Sequence, residues 1–178
     1  YSTEGSSQCI RAMLFLALQG APQSGKRPVL LAARNAHKAL LYAAALLDFD
    51  IRWLWPSAQA EGALCSCPVT AEALTGALHA LAQQGISPFG VYVTSPDYLG
   101  GVQELPALAA VCRAQGVPLL VDNAHGAYLR FLPQNCHPIA QGAAMCCDSA
   151  HKTLPVVTGG AYLHLAHDAP VQDEAAVR

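Results

Sequence analysis

Charged residues are scarce in this sequence, and neither sign dominates. Only 12% of the 178 residues are charged, and 10 lysines and arginines are balanced by 12 aspartates and glutamates, for a net charge of -2. Binding to nucleic acid or to an anionic membrane surface generally requires a clear excess of basic side chains. The composition therefore predicts no nucleic-acid partner and no anionic membrane partner.

Long apolar runs are also missing, although the chain is 53% hydrophobic. No run approaches the roughly 20 residues that a membrane-spanning helix needs, so we predict no membrane span. A sequence with so much apolar and so little charged surface should have part of that surface covered by another domain or subunit. The chain opens on Tyr1 rather than on methionine, and we expect it to be a piece of a longer protein.

The seven cysteines are an odd number, and several lie in apolar segments. Cys65 and Cys67 lack the two-residue spacer of typical zinc-binding and redox pairs, and so do Cys146 and Cys147. These features predict reduced, buried thiols and a cytoplasmic location rather than a disulfide framework. The spacing of the histidines and carboxylates matches no zinc motif, so we predict no metal site.

Segments typical of strands and helices alternate along the chain. Apolar runs without polar alternation are separated by helical patterns of about 10–15 residues, which favours a mostly parallel sheet covered on both faces. We predict an α/β fold with three α/β/α layers and a sheet of roughly seven strands. The predicted strands are residues 1–3, 28–33, 50–55, 90–94, 117–121, 143–147 and 159–165, and the predicted helices are residues 8–19, 37–47, 70–84 (with Thr70 as N-cap) and 105–115.

Polar clusters follow four of the predicted strands directly, at residues 34–38, 95–98, 122–125 and 149–152. In parallel α/β sheets, ligands bind beyond the carboxyl ends of the strands. We therefore predict that the four clusters form one site. The turn-forming run 94–101 is expected to be a wall of its pocket.

Lys152 and Asp122 carry the clearest chemical signal, because Lys152 follows one apolar strand and Asp122 closes another. Either residue alone has an ordinary explanation, Lys152 as a surface lysine and Asp122 as a helix N-cap. Together they are the pair that pyridoxal 5'-phosphate (PLP) requires. A lysine amine forms a Schiff base with the aldehyde of PLP, and a carboxylate keeps the pyridine nitrogen protonated. The pair therefore predicts a PLP site.

Two histidines and two serines could complete such a site. His37 and His125 each lie in a cluster that follows a strand, where one could stack on the ring and the other could contact the Schiff base or the substrate. Gly5, Ser6 and Ser7 precede a predicted helix, whose N-terminus favours an anion such as a phosphate. The ordinary alternatives are histidines buried for packing and a plain helix N-cap.

Four segments carry a resemblance to a known family. They are Arg34-Asn35-Ala36-His37-Lys38, residues 91–101, Asp122-Asn123-Ala124-His125-Gly126-Ala127 and Asp148-Ser149-Ala150-His151-Lys152-Thr153-Leu154-Pro155. They resemble the large PLP-binding domain of the ornithine/lysine/arginine decarboxylases, which has the aspartate-aminotransferase-like fold (fold type I) of PLP enzymes. The resemblance covers nearly the whole chain. It implies an incomplete large domain at residues 1–166, a linker or frayed tail at residues 167–178, and an absent C-terminal small domain.

The resemblance implies a role for each polar residue of the site. Lys152 would form the Schiff base, Asp122 would pair with the ring nitrogen, and His125 would lie near the Schiff base. The remaining cofactor-binding residues would stack on the ring or would hold and flank the phosphate: His37 for the ring, and Ser6, Ser7, Ser149 and His151 for the phosphate. The implied reaction is decarboxylation of lysine, ornithine or arginine to the corresponding amine, in a homodimer or larger assembly with its sites at the subunit interface.

Three positions depart from the family pattern. The family usually has a cysteine and a serine where Ala36 and Ala39 stand, and an asparagine where Glu4 stands. None of these changes removes a group that the core chemistry requires. Two alternatives to the decarboxylase stay open: another fold type I enzyme, such as an aminotransferase or a cysteine desulfurase, and a degenerate, non-catalytic paralogue with a regulatory or assembly role.

Overall fold

A computed structural model describes residues 1–21, 25–56 and 65–171 of the chain. Helices and strands alternate through these ranges. The helices are α1 (Ser6–Gln19), α2 (Lys38–Leu47), α3 (Ala71–Gln83), α4 (Leu105–Ala114) and α5 (Ala150–Thr153), with a 3₁₀ helix at Ala127–Phe131. The strands are β1 (Val29–Ala33), β2 (Asp50–Leu54), β3 (Gly90–Thr94), β4 (Leu119–Asp122), β5 (Met145–Asp148) and β6 (Tyr162–Leu165).

The strands form one six-stranded sheet in the order β2-β1-β3-β4-β5-β6. Strands β1 to β5 pair in parallel, whereas β6 pairs antiparallel to β5. Strands β1, β3, β4 and β5 are buried along their whole length, as expected of strands covered on both faces. The carboxyl ends of these parallel strands share one edge of the sheet, which is where the predicted polar clusters begin.

Each face of the sheet has its own apolar core. Leu40 of α2 packs with α1 on one face, and Leu108 of α4 packs with α3 on the other. Consecutive residues of β4 point to opposite faces of the sheet, since Leu120 belongs to the α1/α2 core and Val121 to the α3/α4 core. The predicted three-layer α/β/α architecture is therefore confirmed.

The predicted first strand, residues 1–3, is reduced to a single antiparallel bridge between Ser2 and Ala161. Gly5 has a φ of 77°, a conformation that glycine adopts easily, and it turns the chain directly into α1. The sheet consequently has six strands in the described residues rather than roughly seven. Of the predicted tail at 167–178, Ala169 and Val171 pack against the α1/α2 core, and residues 172–178 lie outside the described residues.

Side chains define the N-termini of two helices. Thr70 caps α3 as predicted, because its Oγ1 accepts a hydrogen bond of 3.1 Å from the Ala73 N–H. His37 caps α2 rather than lying inside it, since its Nδ1 accepts a bond of 3.2 Å from the Ala39 N–H. The 3₁₀ helix and α5 were not predicted, because four or five residues are too few to show a helical period. Among the described residues, no helix is both long enough and apolar enough to span a membrane.

Candidate functional site

A cavity of about 340 Å³ lies at the carboxyl ends of the central strands, a size typical of small-ligand sites. All four polar clusters that follow strands contribute to its wall, so the fold brings them together around one cavity. Tyr98 comes from the 94–101 run that was predicted as a wall. The wall includes five of the predicted site residues, namely Ser6, His37, Asp122, His125 and Lys152.

Lys152 and His125 are direct neighbours in this cavity. Lys152 lies in α5, just after β5, and its Nζ is 3.1 Å from Nε2 of His125. Burial lowers the pKa of His125, and the positive charge of Lys152 lowers it further. Because an ammonium group only donates, Nε2 of the neutral imidazole accepts the hydrogen bond. His125 can therefore accept a proton from the lysine amine or return one to it.

Asp122 accepts hydrogen bonds from groups beneath it in the core. Its side chain is buried, its Oδ2 accepts from the Tyr92 hydroxyl at 3.0 Å, and its Oδ1 accepts from the Ala124 N–H at 3.1 Å. Burial, and then the charge of Asp122, raise the pKa of Tyr92 well above its usual value. The Tyr92 hydroxyl consequently stays protonated and keeps donating. Sequence reasoning missed Tyr92, because a tyrosine inside an apolar strand is typical of a core residue.

Two aromatic side chains stand around the opening of the cavity. His37 is exposed, and the hydrogen bond from Ala39 N–H to its Nδ1 fixes the orientation of its ring at the start of α2. Tyr98 packs edge-on against His125, with ring centroids 5.7 Å apart. A flat ring in the cavity would thus meet imidazole and phenol groups near its faces and edges.

Ser6 and Ser149 connect the start of α1 to the end of β5. Ser149 is buried, and its hydroxyl donates to Ser6 Oγ at 2.7 Å. Gly5 caps α1 without any side-chain hydrogen bond, which leaves the helix N-terminus suited to an anion. Glu4, the residue that departs from the family pattern, is exposed, and its N–H donates to Ser2 Oγ.

Three predicted site residues are not part of the cavity wall, namely Ser149, His151 and Ser7. His151 lies beside Lys152 in sequence, but its Nδ1 is 3.0 Å from the Gly160 carbonyl oxygen, to which it donates. Ser7 lies in the first turn of α1 and is partly exposed. The expectation that Ser7, Ser149 and His151 lie at the phosphate stays a prediction.

The residues that are present fit PLP. Thr94 Oγ1 and Asn35 Oδ1 lie on the cavity wall and are buried, with no hydrogen-bond partner in the part of the chain that the structure describes. An unpaired buried polar atom costs about 1–3 kcal/mol, so these atoms indicate where a polar ligand would bind. The wall also offers an amine for the aldehyde, a carboxylate for the ring nitrogen, imidazoles for the ring and a helix N-terminus for the phosphate.

A second polar cluster lies on the other face of the sheet, and we call it the histidine cluster. It consists of His137, Asp148 and His164, and Asp148 Oδ2 is 3.2 Å from His137 Nε2 and 3.0 Å from His164 Nε2. Burial raises the pKa of Asp148, but hydrogen bonds from both histidines and from Asn123 outweigh it and lower the pKa to about 2. Residue spacing gave no sign of this cluster, whose three ligand atoms lie within 4.8 Å of one another.

Comparisons with known proteins place the chain in a family. Residues 1–177 match the profile of the Orn/Lys/Arg decarboxylase major domain. The chain is 31% identical over 139 residues to the uncharacterised protein YaaO of Bacillus subtilis, covering 76% of this chain and 28% of that protein. It is 27% identical over 168 residues to an arginine decarboxylase of Halalkalibacterium halodurans, covering 93% of this chain and 32% of the relative. The chain thus spans about a third of the length of these relatives.

Solved structures of low sequence identity share its fold. The crystal structure of Oryza sativa TDC with PLP superimposes with a TM-score of 0.77 at 21% identity, covering 98% of this chain and 39% of that one. The structure of mouse CSAD in apo form gives a TM-score of 0.75 at 23% identity, covering 96% of this chain and 38% of that one. The fold is therefore that of fold type I PLP enzymes. The family match over nearly the whole length shows that this chain belongs to the Orn/Lys/Arg decarboxylase family.

Proposed function

We propose that this chain is the cofactor-binding large domain of a PLP-dependent decarboxylase that acts on a basic amino acid. The observation that carries the proposal is the convergence of Lys152, Asp122, His125 and His37 on one cavity with unpaired polar atoms in its wall. Arginine is the first substrate to test, because relatives from several bacilli are named arginine decarboxylases. Lysine and ornithine are the other members of the proposed substrate class.

Each side chain has a distinct task in this proposal. When bound, PLP supplies an electron-accepting ring that stabilises the carbanion left by loss of the α-carboxylate. The Lys152 amine would hold the cofactor covalently. Asp122, kept in place by Tyr92 and Ala124, would keep a proton on the ring nitrogen. His125 would move a proton at Lys152 Nζ, which it already contacts.

The same geometry supports an orientation for the cofactor. The N-terminus of α1, with Ser6 and the Ser149 hydroxyl that donates to it, would hold the phosphate. Ser7 and His151 would flank it, as the resemblance implies. His37 would cover one face of the ring from the start of α2. Residues 1–166 would constitute the large domain, and a separate small domain would complete the pocket.

Exposed apolar side chains support a homodimer or larger assembly. Leu41, Tyr42 and Leu46 are more than half exposed on α2, and Trp55 is 68% exposed at the same end of the sheet as the cavity. Large apolar side chains left exposed in this way are typical of subunit interfaces. All seven cysteines are free thiols, which is compatible with the proposed cytoplasmic location.

The test is product analysis with the whole protein in which this chain occurs, loaded with PLP. We expect carbon dioxide and the corresponding amine from arginine, lysine or ornithine, and no product from a Lys152→Arg variant. Formation of a keto acid instead of carbon dioxide would identify an aminotransferase and would reject the proposed reaction. PLP binding without turnover of any of the three amino acids would support the non-catalytic alternative.

A further inference from the structure

The histidine cluster joins three separate segments of the chain. His137 comes from the loop after the 3₁₀ helix, Asp148 ends β5, and His164 lies in β6. In the antiparallel register, His164 is paired with Cys146, so its side chain lies on the same face of the sheet as those of Cys146 and Asp148. The sheet therefore brings the three side chains together independently of the PLP site.

Two distances within the cluster match those of a metal site. In a tetrahedral site with metal–ligand distances of about 2.0–2.1 Å, neighbouring ligand atoms lie about 3.3 Å apart. Asp148 Oδ2 lies 3.2 Å from His137 Nε2 and 3.0 Å from His164 Nε2, and all three ligand atoms are within 4.8 Å of one another. The His164 side chain is 37% exposed, so its ring has room to complete the arrangement.

Neighbouring groups orient the ligands as they do in known metal sites. Asn123 Nδ2 donates to Asp148 Oδ1 at 2.5 Å, which directs the other carboxylate oxygen, Oδ2, toward the two imidazoles. The backbone N–H of His137 donates to Asn135 Oδ1 at 3.2 Å, and this bond fixes the loop that carries the histidine. Hydrogen bonds of this kind, from outside the ligand set, set the direction of metal-binding side chains.

A cavity of about 460 Å³ opens onto the cluster and gives an ion a path from solvent. Its wall includes all three cluster residues together with Arg130 and Tyr162. Two imidazoles and one carboxylate leave a fourth position, which water from the cavity can fill.

We propose that His137, Asp148 and His164 bind one divalent transition-metal ion, with Zn²⁺ as the reference ion. The two imidazole nitrogens and one carboxylate oxygen suit Zn²⁺ better than Mg²⁺ or Ca²⁺, which prefer oxygen ligands. The bound ion would clamp β5, β6 and the loop of His137 together. Because β5 leads directly into α5, this clamp supports the segment that carries Lys152 without taking part in the proposed reaction.

The test is calorimetric titration of Zn²⁺ into the whole protein after treatment with EDTA. All samples carry Cys65→Ser, since Cys65 is an exposed thiol that could bind zinc by itself. We expect one equivalent of Zn²⁺ to bind and to raise the melting temperature. The His164→Gln variant should bind Zn²⁺ more than about 100-fold more weakly, because even changes outside the ligand set cost 10–100-fold in affinity.

Glutamine is chosen because its amide can still donate to Asp148, so the variant preserves the hydrogen bond but not the imidazole ligand. His79→Gln, at an exposed position on α3, is the matched control and should bind Zn²⁺ like the parent protein. Equal affinity of the parent and His164→Gln proteins would overturn the proposal. If His164→Gln does not fold, anomalous diffraction at the zinc edge decides on the parent protein: a peak between the three side chains supports the site, and its absence there rejects it.

Discussion

Two polar clusters share the ends of β4 and β5, yet they differ in what their side chains contact. Asp122 belongs to the first, which we call the lysine cluster and which consists of Lys152, His125 and Asp122. The next residue, Asn123, donates instead to Asp148 of the histidine cluster on the other face. Because successive strand residues point to opposite faces, one pair of strand ends can build two sites.

The lysine cluster is open, whereas the histidine cluster is paired within itself. Lys152 is exposed, and the nearby oxygens of Thr94 and Asn35 lack a partner among the described residues. In the histidine cluster, one oxygen of Asp148 already receives both imidazoles. The difference indicates that a ligand would add contacts at the first cluster, while at the second an ion would replace existing hydrogen bonds.

Lys152→Arg should have the largest effect and tests whether the lysine cluster holds its ligand covalently. Arginine keeps a positive charge beside His125 but forms no covalent bond with an aldehyde. We expect the whole protein to lose activity by about 10⁴-fold or more and to lose the visible absorption band of covalently bound PLP. Lys26→Arg is the matched control, because Lys26 precedes the amino end of β1 and the cavity lies at the carboxyl ends of the strands. Retention of the band in Lys152→Arg would show that a different amine binds the cofactor.

Asp122→Asn should have the next largest effect, because it removes the negative charge of the Asp122 carboxylate and leaves the shape of the lysine cluster unchanged. The amide cannot hold a proton on the ring nitrogen, so turnover should fall about 10²–10³-fold, as when one electrostatic group is removed from an active site. PLP should still bind and absorb. Steady-state kinetics compare this variant with Asp168→Asn, a change at an exposed carboxylate. Turnover within a few-fold of the control would contradict the role of Asp122.

Tyr92→Phe tests whether the lysine cluster is supported from the core beneath it. The change removes the hydroxyl that donates to Asp122 at 3.0 Å, in a fully buried position. Because hydrogen bonds to charged groups contribute about 1.5–3 kcal/mol, the free energy of unfolding in urea should fall by that amount. Tyr1→Phe, at a position that is 98% exposed, should leave the free energy of unfolding unchanged. Equal stability of the two variants would show that the Tyr92 hydroxyl contributes nothing.

Sequence reasoning succeeded where the relevant signal is local. Strand-length apolar runs followed by polar residues located Asp122 and Lys152 at the same edge of the sheet, and the structure places both on one cavity. The histidine cluster has no such local signal. His164 reaches Asp148 only through the antiparallel pairing of β6 with β5, and His137 lies in a loop of irregular structure. Neither that register nor that loop can be derived from residue spacing.

The same limit applies to residues that act from the core. Tyr92 lies in the middle of an apolar strand, and its hydroxyl becomes relevant only because β3 and β4 pair in a register that brings it to Asp122. Asn35 and Thr94 adjoin the predicted clusters, but their lack of partners follows from packing and not from composition. The cavity residues at strand ends were therefore predictable from the sequence, and the residues that hold them in place were not.

The smallest expected effect is a shift in the pKa of His125. Its direction shows how the charges of Lys152 and Asp122 each act on this histidine. Burial and the charge of Lys152 lower this pKa from 6.5, whereas Asp122 raises it. In the protein without PLP, Lys152→Gln should therefore move the NMR titration midpoint of His125 upward, and Asp122→Asn should move it downward. Lys26→Gln is the control and should leave the midpoint in place. If both cluster variants shifted the midpoint in the same direction, the amine and the carboxylate could not both act on His125 through their charges.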